Sequence, residues 1–84
     1  MPGTLDKIDI DLKKKIAARI KELRENTGKN QTEFAYDFGT DKQTWNRYEG
    51  GRGVSIYTVN KFCKLIGISL SEFFDSSLFK ESKK

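Results

Sequence analysis

The chain has 84 residues, 36% of them hydrophobic and 33% charged, with a net charge of +4. That length holds one small domain with a modest core, and no apolar run approaches the roughly 20 residues needed to cross a bilayer. One cysteine and no histidine exclude an intrachain disulfide and leave a zinc finger or other thiolate–imidazole site without ligands.

No secretory pattern precedes the first helix signal, so the expected setting is a reduced cytoplasm with Cys63 as a small buried hydrophobe. The absence of histidine removes the commonest general base. No coherent nucleophile, metal or cofactor constellation replaces it, so the expectation is a protein without catalysis or cofactor. The positive charge is unevenly spread. Residues 1–11 carry −2, residues 12–27 carry +4, residues 28–53 sum to zero and the remainder carries +2. Basic charge is thus concentrated on one helix and on selected faces, a distribution compatible with a polyanionic partner.

In chain order, residues 1–11 mix small, acidic and apolar types and read as a flexible lead-in, with a short extended piece packing through Ile8 or Ile10 as an alternative. Leu12 to Thr27 is the longest helix signal. Asp11 is its expected N-cap, Gly28 its stop, and Leu12, Ile16, Ile20 and Leu23 form the apolar stripe beside Ala17. Lys13, Lys14 and Lys15 would then oppose the helix dipole. They read either as a solvated basic face or as phosphate contacts. Arg24 borders the stripe, where its fork can reach a carboxylate from another helix.

A second helix is expected over Gln31 to Phe38, with Phe34, Ala35 and Phe38 on its inner face. Gly39 permits the positive φ of a tight turn. Thr40 and Asp41 offer caps for a third helix from Lys42 to Glu49, stopped by Gly50 and Gly51. On this helix Trp45 and Tyr48 share one side, while Lys42, Gln43, Asn46 and Arg47 mostly occupy another. Trp45 and Tyr48 serve either as core or as stacking platforms for single strands, and closure of so small a core favours packing.

After the loop Gly50-Gly51-Arg52-Gly53, Ser55 caps a helix over Ile56–Ile66 whose apolar face uses Ile56, Val59, Phe62, Cys63 and Ile66. Gly67 stops it. Ser69, with Glu72 three residues on, marks a capping box for a last short helix presenting Leu70, Phe73 and Phe74. A polar tail, 75–84, follows. The expected core is Ile16, Ile20, Leu23, Phe34, Ala35, Phe38, Trp45, Tyr48, Val59, Phe62, Ile66 and Phe73.

Over residues 12–74 the sequence resembles the lambda-repressor/Cro-type (Xre) helix-turn-helix family. The resemblance rests on Gln31-Thr32-Glu33-Phe34-Ala35, Gly39, Thr44-Trp45, Tyr48-Glu49 with Gly51, and the run from Leu65 to Phe74. It implies an all-α, compact five-helix domain that sets its third helix in the DNA major groove, commonly as a dimer on paired half-sites. It assigns base reading to Lys42, Gln43 and Arg47, with Asn46 on the flank. Gln31 is assigned to phosphate, with its amide also placed to brace a side chain at the start of the reading helix, and Arg52, Lys14 and Lys15 are assigned to phosphate. Arg24 and Glu49 match a pair that in some relatives forms a partly buried salt bridge. Trp45 departs from the usual isoleucine or valine, and the loop Gly51 to Ser55 is short and lacks proline.

The resulting expectation is a sequence-specific double-stranded DNA-binding transcriptional regulator, a repressor or autoregulator acting as a homodimer. Ile68, Leu70, Phe74, Leu78 and Phe79 are its candidate dimer contacts, and RNA polymerase its further partner. Phage-like repressors, restriction–modification controllers and antitoxins share this architecture. The competing expectation is a protein-interaction module such as an antitoxin paired with a toxin, with or without base reading.

Overall fold

The first helix, α1, is longer than the stripe alone indicates: it runs over Pro2–Asn26, 25 residues. The computed structural model describes residues 2–80, with side chains from Asp6 to Lys80. The expected lead-in is therefore helical from Pro2 onward, Met1 lying outside the described residues. Asp11 is an interior residue rather than an N-cap, paired with Lys15 at 3.2 Å one turn on. The alternation Ile8-Asp9-Ile10-Asp11-Leu12 suits an extended strand as well as it suits a helix. The four-residue recurrence Ile8, Leu12, Ile16 belongs to the same face as the core stripe, and helix continues through it. Lys13, Lys14 and Lys15 consequently stand mid-helix, where the dipole acts weakly. Leu12, expected on the apolar stripe of this helix, is 47% exposed.

Four shorter helices follow among the described residues: α2 (Gln31–Phe38), α3 (Lys42–Glu49), α4 (Ile56–Ile66) and α5 (Leu70–Phe74). A 3-10 turn at Ser77–Phe79 ends the described chain, and the expected polar tail beyond Lys80 lies outside it. Each helix start is fixed by a side chain that accepts from an otherwise unpaired backbone N–H. Asn30 and Glu33 form a reciprocal capping box on α2. Asp41 accepts from Thr44 N on α3, Ser55 from Thr58 N on α4, and Ser69 with Glu72 forms a second box on α5. The same bond from Thr44 N–H holds the Asp41 carboxyl below the ordinary carboxylate range.

The core is aromatic and centred on Trp45, which is fully buried. Its ring centroid lies 4.8 Å from Phe34, 5.1 Å from Phe38 and 5.8 Å from Phe62. Tyr48 meets Trp45 edge-on at 5.6 Å. Phe62 carries the cluster to Phe73 at 6.1 Å, with Phe74 and Phe79 beyond it. The helix packing thus absorbs large rings, Trp45 at their centre. Ile20, Ala35, Val59 and Cys63 fill the gaps between rings, and burial pushes the Cys63 thiol up from its ordinary pKa. Ile56 is the other departure: it is 53% exposed, in the first turn of α4, where Val59 and Phe62 turn inward instead.

Two ties lock the layers. Arg19 on α1 donates from Nε to Phe73 O at 2.7 Å and from Nη2 to Glu72 O at 2.9 Å, closing the C-terminal carbonyls of α5. Where α3 ends, Gly51 brings the loop against α1. It adopts φ 84, and a Cβ there would sit 3.3 Å from the Lys13 carbonyl oxygen. Both the left-handed backbone and the close approach demand glycine. Gly51→Ala is therefore expected to lower stability by about 1–2 kcal/mol. In urea this is read as a lower midpoint at unchanged m-value.

Candidate nucleic-acid interface

The α2–turn–α3 unit is held by a left-handed glycine. Gly39, at φ 90, caps α2 by donating to Ala35 O and Tyr36 O. Two residues later Asp41 starts α3 in a new direction. The inner side of α3 carries Trp45, Tyr48 and Glu49; its outer side carries Lys42, Gln43, Asn46 and Arg47, all four exposed.

What orients α3 is a single carboxylate. Glu49 accepts from Arg24 Nε at 2.5 Å and from Arg24 Nη2 at 3.3 Å. The Gln31 amide donates to it at 2.8 Å and the Trp45 indole N–H at 2.6 Å. Side-chain exposure is 9% for Arg24 and 4% for Glu49, so the pair is buried rather than two independent surface charges. The third guanidinium nitrogen of Arg24 donates to Lys29 O at 2.8 Å, which ties in the loop between α1 and α2. Burial raises the Glu49 pKa, but the hydrogen bonds from Arg24, Gln31 and Trp45 outweigh it and leave the carboxyl below its ordinary value. Among the described residues no buried side-chain polar atom lacks a partner.

The resemblance pairs Arg24 with Glu49; it does not supply Trp45 as a donor, and it sets the Gln31 brace at the start of α3 rather than at Glu49. Trp45 and Glu49 are one helical turn apart, so their shared side is readable along the chain, and the indole N–H is a donor as well as part of a packed ring. Gln31 comes from another helix and carried no local signal for this role. Its amide nitrogen also reaches Asn46 Oδ1 at 3.4 Å, so both of its N–H groups are engaged within the protein. It therefore braces α3 at its middle and end, and its side chain has no spare donor for phosphate in this arrangement.

Gln31, Lys42, Gln43 and Asn46 line one open cleft of about 360 Å³. A neighbouring one, about 320 Å³, is lined by Arg24, Asn30, Gln31, Thr32 and Lys42. The N-terminal ends of α2 and α3 thus converge on one polar surface. Arg52 is exposed beyond α3, its backbone N–H bonded to Arg47 O at 2.9 Å. Lys14 and Lys15 are not part of either cleft. Lys14 lies on the projecting half of α1 with Lys7, Ile8, Ile10 and Asp11, and Lys15 is paired with Asp11. Of the candidate dimer residues, Ile68, Leu70, Phe74 and Phe79 pack against the domain's own core, and Leu78 is half-buried.

Among the described residues there is no group of three or more metal-capable side chains, and no helix is long and apolar enough to cross a membrane. Residues 15–73 match the sequence profile of a family described as a helix-turn-helix domain. Neither the curated proteins nor the solved structures contain a match to the chain.

Proposed function

Because the chain belongs to the helix-turn-helix domain family, we propose that it is a sequence-specific double-stranded DNA-binding regulator of transcription of the lambda-repressor/Cro (Xre) type. It acts in the cytoplasm as a homodimeric repressor or autoregulator. The observation that supports this reading is the division of labour on α3. Every inward side chain is packed or hydrogen-bonded, and four polar side chains are left facing outward on a rigid helix.

Lys42 donates to guanine O6 or N7, and Gln43 pairs with adenine N6 and N7. Arg47, one turn beyond Gln43, reaches guanine or phosphate. Asn46 reads from the flank. With its Oδ1 already accepting from Gln31, its NH₂ group is the donor it offers a base or phosphate. Arg52 sets register through phosphate, and any phosphate contact at Gln31 falls to its backbone N–H or requires its amide to leave Asn46. Occupying a promoter then blocks RNA polymerase or brings the regulator into contact with it, with no chemical step.

The direct test is selection of bound duplexes from random-sequence DNA, followed by sequencing. A defined motif is expected, and two related half-sites if the regulator binds as a dimer. With Lys42→Ala and Gln43→Ala combined, affinity for the selected site should fall at least thirtyfold, taking about 1–3 kcal/mol for each good base contact. Binding to unrelated DNA should fall much less. Unchanged discrimination in a folded double variant would refute base reading by this face.

A further inference from the structure

Among the described residues nothing covers the N-terminal half of α1. Every described side chain from Asp6 to Lys14 is exposed, including Ile8 at 57% and Leu12 at 47%. These two residues stand one turn apart, on the face that one turn later carries the half-buried Ile16 into the core. A helix of two or three free turns is marginal in water, and a projecting apolar stripe on it calls for a partner.

The charges identify that partner. Asp6, Lys7 and Asp9 lie toward the free end and sum to −1, Lys13 and Lys14 lie toward the domain and sum to +2, and none of the five makes an ion pair among the described residues. The helical period places Asp9 and Lys13 on the same flank of the Ile8–Leu12 stripe. A second copy laid parallel sets like charge against like. A second copy laid antiparallel sets the acidic end of each arm beside the basic stretch of the other. It also puts Ile8 of one copy against Leu12 of the other, twice, by the two-fold axis.

We propose that the projecting half of α1 is a self-docking surface, which pairs antiparallel with the same segment of a second copy through Ile8 and Leu12, with Asp9 beside the partner copy's Lys13 fixing the direction. This deepens the homodimer part of the proposed function and moves its contact from the α5 region, whose apolar residues serve the monomer core, to α1. The arm is short against the ~800 Å² per partner of a standard interface. Association is accordingly weak and concentration-dependent.

The test is sedimentation equilibrium of the full chain without DNA, up to several hundred micromolar, so that its result is independent of base reading. The wild-type chain should shift from monomer to dimer with concentration. Ile8→Glu with Leu12→Glu should weaken dimerisation at least tenfold while the thermal midpoint of the dilute monomer stays unchanged, since both side chains are exposed there. Asp9→Lys should weaken it, and adding Lys13→Asp to that variant should restore it. Glu25→Lys, which changes net charge equally on a distant part of α1, should have little effect. A wild-type chain that stays monomeric throughout, or an Ile8→Glu/Leu12→Glu variant that dimerises as the wild type does, overturns the surface. Failure of Lys13→Asp to rescue Asp9→Lys overturns the antiparallel direction.

Discussion

Trp45→Ala is expected to abolish the cooperative thermal transition or to lower its midpoint by tens of degrees. Trp45 is fully buried and its ring contacts Phe34, Phe38, Tyr48 and Phe62 at centroid separations of 4.8–5.8 Å. Truncating a large buried aromatic costs about 3–5 kcal/mol, through lost burial and the cavity left behind. The indole N–H bond to Glu49 is lost as well. A domain of this size has about 4–12 kcal/mol of stability in all, so the substitution removes a large part of the total. Far-UV circular dichroism against temperature measures it. Trp45→Phe separates the two contributions. It keeps most of the packing and removes only the donor, so its cost should be about 1–2 kcal/mol. A Trp45→Ala variant melting within a few degrees of wild type would mean that the aromatic cluster does not carry the fold.

The second large effect belongs to Glu49→Gln. The change leaves one acceptor oxygen where two served, places an NH₂ among N–H donors, and strands the Arg24 charge in a site where its side chain is 9% exposed. Removing one member of a buried ion pair costs about 3–5 kcal/mol, a fall in melting temperature of roughly 15–30 °C for a chain of this length. The pH dependence gives an independent signature. The folded carboxyl has a lowered pKa because the donors outweigh burial. Its contribution is therefore complete above the unfolded value of about 4.3 and is lost as pH falls through the lower, folded value. The stability gap between wild type and Glu49→Gln should be constant above about pH 5.5, more than a unit above that unfolded value, and should narrow steadily on acidification. A gap unchanged from pH 7 to pH 3 in urea titrations rules out the ionised carboxylate as the source.

The legible parts of this fold were those with local punctuation. Gly39, Asp41, Ser55, Gly67 and the Ser69–Glu72 box each act within three or four residues of the boundary they set, so the limits of α2 to α5 could be read off the chain. The start of α1 had no such mark, and an alternating Ile-Asp-Ile-Asp-Leu run is equally at home in an extended segment. At the site, the outward set on α3 follows from the helical period alone. The convergence of Gln31, Trp45 and Arg24 on one carboxylate does not, because its donors come from three helices whose relative placement is a property of the packed core. The same reason applies to Gln31: its position at a helix start is readable along the chain, whereas the direction in which its amide points is not.

The way α3 is anchored has a consequence for how such a protein can change. Its buried fastenings run through Trp45, Tyr48 and Glu49, and among the described residues three of the four outward positions, Lys42, Gln43 and Arg47, have no side-chain bond to the scaffold. Those three can be exchanged without disturbing the domain that presents them. On the proposed function, new DNA sites are thus accessible through surface substitutions alone. Asn46 is the exception, because its bond to Gln31 couples any change there to the brace behind it. A library randomised at the first three positions should stay uniformly folded, while one that includes Asn46 would evolve best with Gln31 varied alongside it.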